Sequence, residues 1–250
     1  MAQNTNIIVE VVPCKTGEMN QLLKSGRVQL VVTGGISNPL PDYDATVIAA
    51  DLLVLVVNFN NPSIQYLAMR GLDLKDLQAI YSTGNITNWN QIDKKAAATP
   101  LKALIGPDST SSNEIIRSFL KSGFARTVTS TLSENELVSS IIASPGTIAF
   151  MSHRLAYNQA SGFRANGLYI IPVDFDGNNV ANDNELIYDD LNILRKAYKK
   201  GSYPKPLIRN HYFITTGKED RSDIVKHFTG YAQKEGSNVI SATGYLEPIK

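Results

Sequence analysis

Two stretches of this chain carry residue types and spacings that could do chemistry. The first is Asp108–Asn113, DSTSSN, between the apolar run Ala103–Ile105 and a segment of helical spacing, Asn113–Lys121. A hydroxyl-rich loop that opens a helix is a place to hold an anion, because free backbone N–H groups and the positive end of the helix dipole converge there. Ser109, Thr110 and Ser112 could each donate a hydroxyl proton to an oxyanion oxygen. The plainer alternative is that Ser109 or Thr110 only caps the helix. The second stretch is Asp174–Glu185, DFDGNNVANDNE. It places Asp174, Asp176, Asn178, Val180, Asn182 and Glu185 at the oxygen-ligand spacing of a calcium loop. Asn179 takes the position where glycine is usual, and asparagine also tolerates positive φ. A strand rather than a helix precedes it, so this is not a full EF-hand, and the same residues are those that ordinary turns prefer.

The elements that must position these loops read as an α/β pattern. Strands are predicted over Asn6–Val12, Val28–Thr33, Thr46–Phe59, Leu101–Ile105, Thr147–Met151, Leu168–Val173 and Leu207–Thr215. Helices are predicted over Gly17–Ser25, Leu74–Tyr81, Asn113–Lys121, Glu134–Ile142, Asp189–Tyr198 and Ser222–Lys234. Ser133 and Glu136 have the spacing of a capping box at the fourth of these helices. The run Thr46–Phe59 is Val-rich with Asp51 inside it, as in a strand buried on both faces.

Composition narrows the function. The chain has 250 residues, 43% hydrophobic and 19% charged, which is ordinary globular make-up with room for one large domain or two modest lobes. A formal net charge of +1 gives no field favouring nucleic acid or acidic membrane, and the aromatics do not interleave with a basic cluster. The single cysteine, Cys14, excludes an intrachain disulfide framework and a multi-cysteine zinc site. His153, His211 and His227 lack metal-ligand spacing. No nucleophile elbow, dinucleotide fingerprint or P-loop is present, so no catalytic residues and no enzyme are expected. No apolar run reaches the ~18 residues of a spanning helix, and MAQNTNIIVEVV does not read as a signal peptide.

The order of several motifs resembles one family. LDLKDLQAIYSTGNITNWNQI (Leu72–Ile92) is followed by ALIGPDSTSSNEIIRSFL (Ala103–Leu120). ADLLVLVVNFNNP (Ala50–Pro62), PGTIAFM (Pro145–Met151), YPKPLIRNHYFI (Tyr203–Ile214) and Gly244-Tyr245 complete the pattern. Together they resemble the substrate-binding proteins of phosphate ABC importers, over about four fifths of the chain. The resemblance implies a two-lobed, type II periplasmic binding protein-like fold, each lobe a mixed sheet flanked by helices. Lobe one would be residues 1–55 plus 205–250, and lobe two 56–204.

It further implies that a small oxyanion, phosphate first, sits in the interlobe cleft for delivery to an ABC permease. The protein would then be periplasmic or cell-surface, with a cytoplasmic protein as the alternative. By that resemblance the cradle would comprise Lys15 and Thr16 of PCKTG, Thr33 and Gly34 of the VTGG tip, and Ser109, Thr110, Ser111 and Ser112. No cofactor is implied beyond calcium at Asp174–Glu185. Three departures stand out. The family's arginine before the Asp108 loop is Gly106 here, Gln29 replaces an acidic residue, and the family's first strand–loop–helix unit has no counterpart before Asn6. They leave open a second reading, a scaffold without phosphate binding that self-associates through an exposed sheet edge. Trp89 is expected at a structural tip beside the lobe surface.

Overall fold

The computed structural model describes residues 8–14, 16–35, 43–107, 111–216 and 222–249. Its spine is a fifteen-residue strand, Asp44–Asn58 (β2), which follows Val31–Gly34 (β1). A run of Ala, Leu and Val this long can be satisfied only by neighbours along its whole length, and β2 changes neighbours part-way. From Asp44 to Leu52 it pairs antiparallel with Ile208–Thr215 (β9). From Leu53 onward it pairs with Thr147–Ser152 (β6) on one side, and from Leu55 with Leu168–Ile171 (β7) on the other. β1 adds to β9, and Lys102–Ile105 (β4) and Thr129–Ser130 (β5) extend the far side in parallel, giving the order β1-β9-β2-β6-β4-β5 with β7 beside β2. Two short strands, Leu72–Asp73 (β3) and Val173–Asp174 (β8), form a separate parallel pair. The architecture is the mixed α/β one expected from the sequence.

The helices cover the sheet according to their apolar stripes. Met19–Lys24 (α1) buries Met19 and Leu23 against Val31 and Ile214, a small core on the β1 side. The larger core is built on β2, β4 and β6. Ile64–Arg70 (α2), Leu74–Tyr81 (α3), Ser112–Leu120 (α4), Glu134–Ala143 (α5), His153–Ala156 (α6) and Leu191–Lys199 (α7) close around it. Ser222–Ala242 (α8) runs eight residues beyond the predicted end at Lys234. Caps follow the local chemistry. Asp73 and Asp76 form a full capping box at α3, and Asp190 caps α7. At α5 only half of the predicted box forms: Ser133 accepts from Glu136 N–H, but Glu136 turns back to the N–H of Leu132 instead of Ser133.

Two expectations are corrected. Of the predicted strand Asn6–Val12, residues 6 and 7 lie outside the described part, and Ile8–Val12 forms no strand. Ile8, Val9, Val11 and Val12 are exposed; β-branched residues favour a strand only where a neighbouring edge receives them. Trp89 is not at a surface tip but fully buried, and its indole N–H donates to the carbonyl of Gly146 at 3.0 Å. Gly146 is required there, since a Cβ would lie 2.0 Å from the carbonyl oxygen of Pro100. Trp89→Ala should therefore lower the unfolding free energy by about 3–5 kcal/mol, read in a urea titration. Trp89→Phe should cost less, because the ring volume is largely kept and only the hydrogen bond is lost.

Candidate functional site

Where β2 changes partners, a cluster of polar residues lies buried. Asp51, on β2, is wholly inaccessible. Its Oδ1 accepts from Ser152 Oγ at 2.7 Å and faces His153 Nδ1 at 2.8 Å, and its Oδ2 accepts from Arg209 Nη2. Asp51 and Arg209 are directly opposed in the β2–β9 ladder, so the ion pair follows from the strand register. Burial alone would raise the carboxyl's pKa. The hydrogen bond from His153 and the charge of Arg209 outweigh it and hold the group well below the usual carboxylate range.

Arg209 also reaches forward. It is 5% exposed, and its Nη1 donates to Ser112 Oγ at 2.5 Å, in the first turn of α4. Its Nε has no hydrogen-bond partner. Asn113 steadies the same end of the helix, donating from Nδ2 to the carbonyls of Gly106 and Pro107.

The tip of β1 approaches the same end of α4. Gly34 pairs with His211, two residues along β9 from Arg209 and on the same face. A Cβ on Gly34 would meet the His211 ring at 2.9 Å and Ser111 Oγ at 3.1 Å. One on Gly35, whose φ is +67°, would meet Ser111 Cβ at 2.6 Å. The glycine pair thus lets the β1 tip touch the start of α4. His211 stacks edge-on against Tyr245, with ring centroids 4.8 Å apart, and its Nε2 has no partner. Burial, then the positive charges of Arg209 and Arg154 against the opposing pull of Asp51, push its pKa down to about 4, so the ring is neutral at physiological pH.

The structure thus brings Gly34, Ser111 and Ser112 of the expected cradle together. Thr33 pairs with Tyr212, on the sheet face opposite to His211 and Arg209. Thr16 begins a short 3-10 turn. Lys15, Ser109 and Thr110 lie outside the described residues. Ser111, rather than Ser109 or Thr110, is the N-cap of α4, and its side chain makes no capping bond.

The residues missed were Arg209, Ser152 and His153, together with the role of Asp51. Their signal was available. Asp51 sits in a run of Ala, Leu and Val, and Arg209 in LIRNHYFI, and a charge in a strand buried on both faces needs a partner.

The second loop brings three of its candidate oxygen ligands together. Oxygens of Asp174, Asp176 and Glu185 lie within 4.8 Å of one another, and Asn179 has φ of 64°. The carboxylates already accept from the loop itself: Asp174 from the N–H of Gly177 and Asn179, Glu185 from those of Phe175 and Asn182, and Asp176 from Asn178. Asn178 and Asn182 turn their amide groups to Asp176, and their carbonyl oxygens accept from Val180 and Asn184.

Residues 1–235 match the model of a family described as a PBP superfamily domain. The chain belongs to the PBP superfamily. No curated protein matches its sequence. Solved structures of this superfamily member's fold include an ABC-type phosphate transport receptor from Vibrio cholerae, 18% identical over 91% of this chain and 83% of that one, with a TM-score of 0.67. A second is a possible phosphate binding protein from Planctomyces limnophilus, 16% identical over 94% and 80%, TM-score 0.64. A third is PstS from Borrelia burgdorferi, 16% identical over 92% and 83%, TM-score 0.56. These likenesses establish the two-lobed binding-protein fold for the chain.

Proposed function

We propose that this chain is a solute-binding protein of the phosphate-importer type. It takes a small oxyanion between the tip of β1 and the N-terminus of α4 and presents it to an ABC permease outside the cytoplasm. The observation that carries this reading is Arg209, a nearly inaccessible guanidinium seated on the first turn of α4 with one N–H still unpaired. It supplies the cation that Gly106 lacks, from a different strand, at a helix end that already favours negative charge. Asp51 cancels its net charge, so the site would bind through directed donors and the helix dipole, not through excess positive charge. The superfamily and the phosphate receptors of similar fold support the same class of ligand. In this reading lobe one is 1–55 with 205–250, and lobe two is 56–204. Closure brings Gly34 and Gly35 onto Ser111, and the ligand favours the state in which both lobes donate to it.

Calorimetric titration of the chain with inorganic phosphate, then sulfate, tests the proposal. Saturable binding of either anion supports it, and no heat from both overturns it. Calcium is a separate arm. A calcium-dependent rise in melting temperature would assign the metal to Asp174, Asp176, Asn178, Val180, Asn182 and Glu185, whereas no rise leaves that loop a self-bonded turn. A scaffold that self-associates is the second reading. It is favoured by the position of β1 at the end of the sheet, with Val32 62% exposed. A concentration-dependent mass in sedimentation, abolished by Val32→Lys, would support it.

A further inference from the structure

Two lobes that share a strand can hinge where that strand changes neighbours. In β2 the change falls between Leu52 and Leu53, where pairing with β9 gives way to pairing with β6. Contacts that cross this point bias the balance between open and closed states, because a contact kept in one arrangement and lost in the other favours the first.

Residues 243–249, which follow α8, hold to the half of the sheet where β2 pairs with β9. Leu246 exchanges both backbone hydrogen bonds with Ala50, at 2.8 and 2.9 Å. The adjacent Tyr245 sets its ring edge-on against His211 of β9. The same short segment also reaches the other half. α6 follows β6 directly, and the Arg154 guanidinium of α6 lies 4.0 Å from the centre of the Tyr245 ring. Arg154 Nε donates to the carbonyl of Thr243 at 2.9 Å. Tyr198 of α7 donates its hydroxyl to the carbonyl of Glu247 at 3.1 Å. Gly244, with φ of +81°, permits the close approach: a Cβ there would meet Gln159 Oε1 at 3.0 Å and Arg154 Cγ at 3.4 Å.

His211, Tyr245 and Arg154 therefore form one stack drawn from β9, the C-terminal segment and α6. A guanidinium that lies over a ring and bonds a carbonyl beside it meets two geometric conditions at once, and both weaken within about an ångström of displacement. They are met in the same arrangement in which the β1 tip touches Ser111 of α4.

We propose that residues 243–249 are a latch across the hinge. Arg154, seated on Tyr245 and Thr243, holds the two lobes in the closed arrangement and so raises the fraction of the chain competent to bind the anion. This rests on the two-lobed oxyanion reading and adds its control. The latch needs no contact with the anion, so it acts on apparent affinity only through the closed fraction.

The test reads that fraction directly. Val32 on β1 and Ser118 on α4 are exposed. Spin labels at Val32→Cys and Ser118→Cys, in a Cys14→Ser background of the full chain, report the β1–α4 separation by dipolar distance measurement with no anion added. The labelled parent is expected to populate mainly the short separation. Arg154→Met keeps the apolar stem and removes the cation and the donor. It should lower the closed-to-open ratio by about three- to tenfold, and Tyr245→Leu by a similar factor, while Arg154→Lys keeps a cation and should lose less. In calorimetry, inorganic phosphate affinity should fall in the same proportion as the measured closed fraction. An unchanged distance distribution in Arg154→Met overturns the latch, whatever the anion does, and so does a parent whose labels already stand apart. Arg154 is only half-buried, so this variant decides the matter even if Tyr245→Leu fails to fold. A parent that binds neither phosphate nor sulfate, with labels that still separate in Arg154→Met, keeps the latch and overturns the oxyanion reading alone.

Discussion

Asp51→Asn is expected to lower the unfolding free energy by about 3–5 kcal/mol, a large share of the ~5–15 kcal/mol that holds a typical domain together. The loss does not come from the ion pair being intrinsically strong. It comes from what remains: Arg209, 5% exposed, would keep its charge in the interior with only Ser112 to receive it. Ser152 and His153 would lose an anionic acceptor at the same time. A paired replacement separates these causes. Asp51→Leu combined with Arg209→Met removes both charges, and should be much less damaging than Asp51→Asn alone, because no unpaired charge is left.

The same residue sets an acid limb. Its folded pKa is depressed below the unfolded ~3.9, so its contribution is complete above about pH 5 and is lost as pH falls through 4 toward the folded value. Urea titrations across that range should show wild-type stability falling steeply and the Asp51→Asn curve nearly flat. A variant within about 1 kcal/mol of wild type at neutral pH would show that Arg209 finds another partner.

How much of this was legible in the sequence depends on whether the cause was local. α3, predicted over Leu74–Tyr81, matches the structure to the residue, because its apolar spacing and its Asp73–Asp76 capping box are properties of one short segment. β2 was legible for the same reason: a long Val-rich run has little choice but a buried strand. The N-terminal run IIVEVV carried an equal propensity and failed, because a strand needs a partner edge and no residue in the run decides whether one exists. The site divided along the same line. Ser111, Ser112 and Gly34 could be named from loop composition and motif order. Arg209 could not be placed, since its opposition to Asp51 depends on a register between residues 158 positions apart. The resemblance points to Lys15 in the PCKTG loop, whereas the guanidinium seated on α4 is that of Arg209, from a strand near the far end of the chain. His211 needed both that strand and Tyr245 before its ring could be assigned a direction.

Gly35→Ala should weaken phosphate binding by about ten- to a hundredfold while leaving most of the stability intact, which is the opposite signature to Asp51→Asn. The added methyl would meet Ser111 Cβ at 2.6 Å, Ser111 Oγ at 2.9 Å and the Ser111 carbonyl oxygen at 3.1 Å. Overpacking of this kind costs about 1–3 kcal/mol where the contact must form. The contact joins β1, at one end of the sheet, to α4, and on the proposed two-lobed reading it would be relieved when the lobes separate. On the proposed reading only the ligand-binding state needs the contact. The cost then enters as a smaller population of the competent state, and apparent affinity falls by the same factor. Gly35 has φ of +67° in any folded state in which β1 keeps its conformation, so a further ~1 kcal/mol appears in the stability measurement and cancels from the binding measurement.

Ser111→Gly completes the argument. It removes the two nearest atoms, so Gly35→Ala on that background should cost far less affinity than in wild type, and the coupling between the two substitutions measures the contact directly. If Gly35→Ala leaves phosphate affinity unchanged, or if its effect is the same with and without Ser111→Gly, the approach of β1 to α4 has no part in holding the ligand.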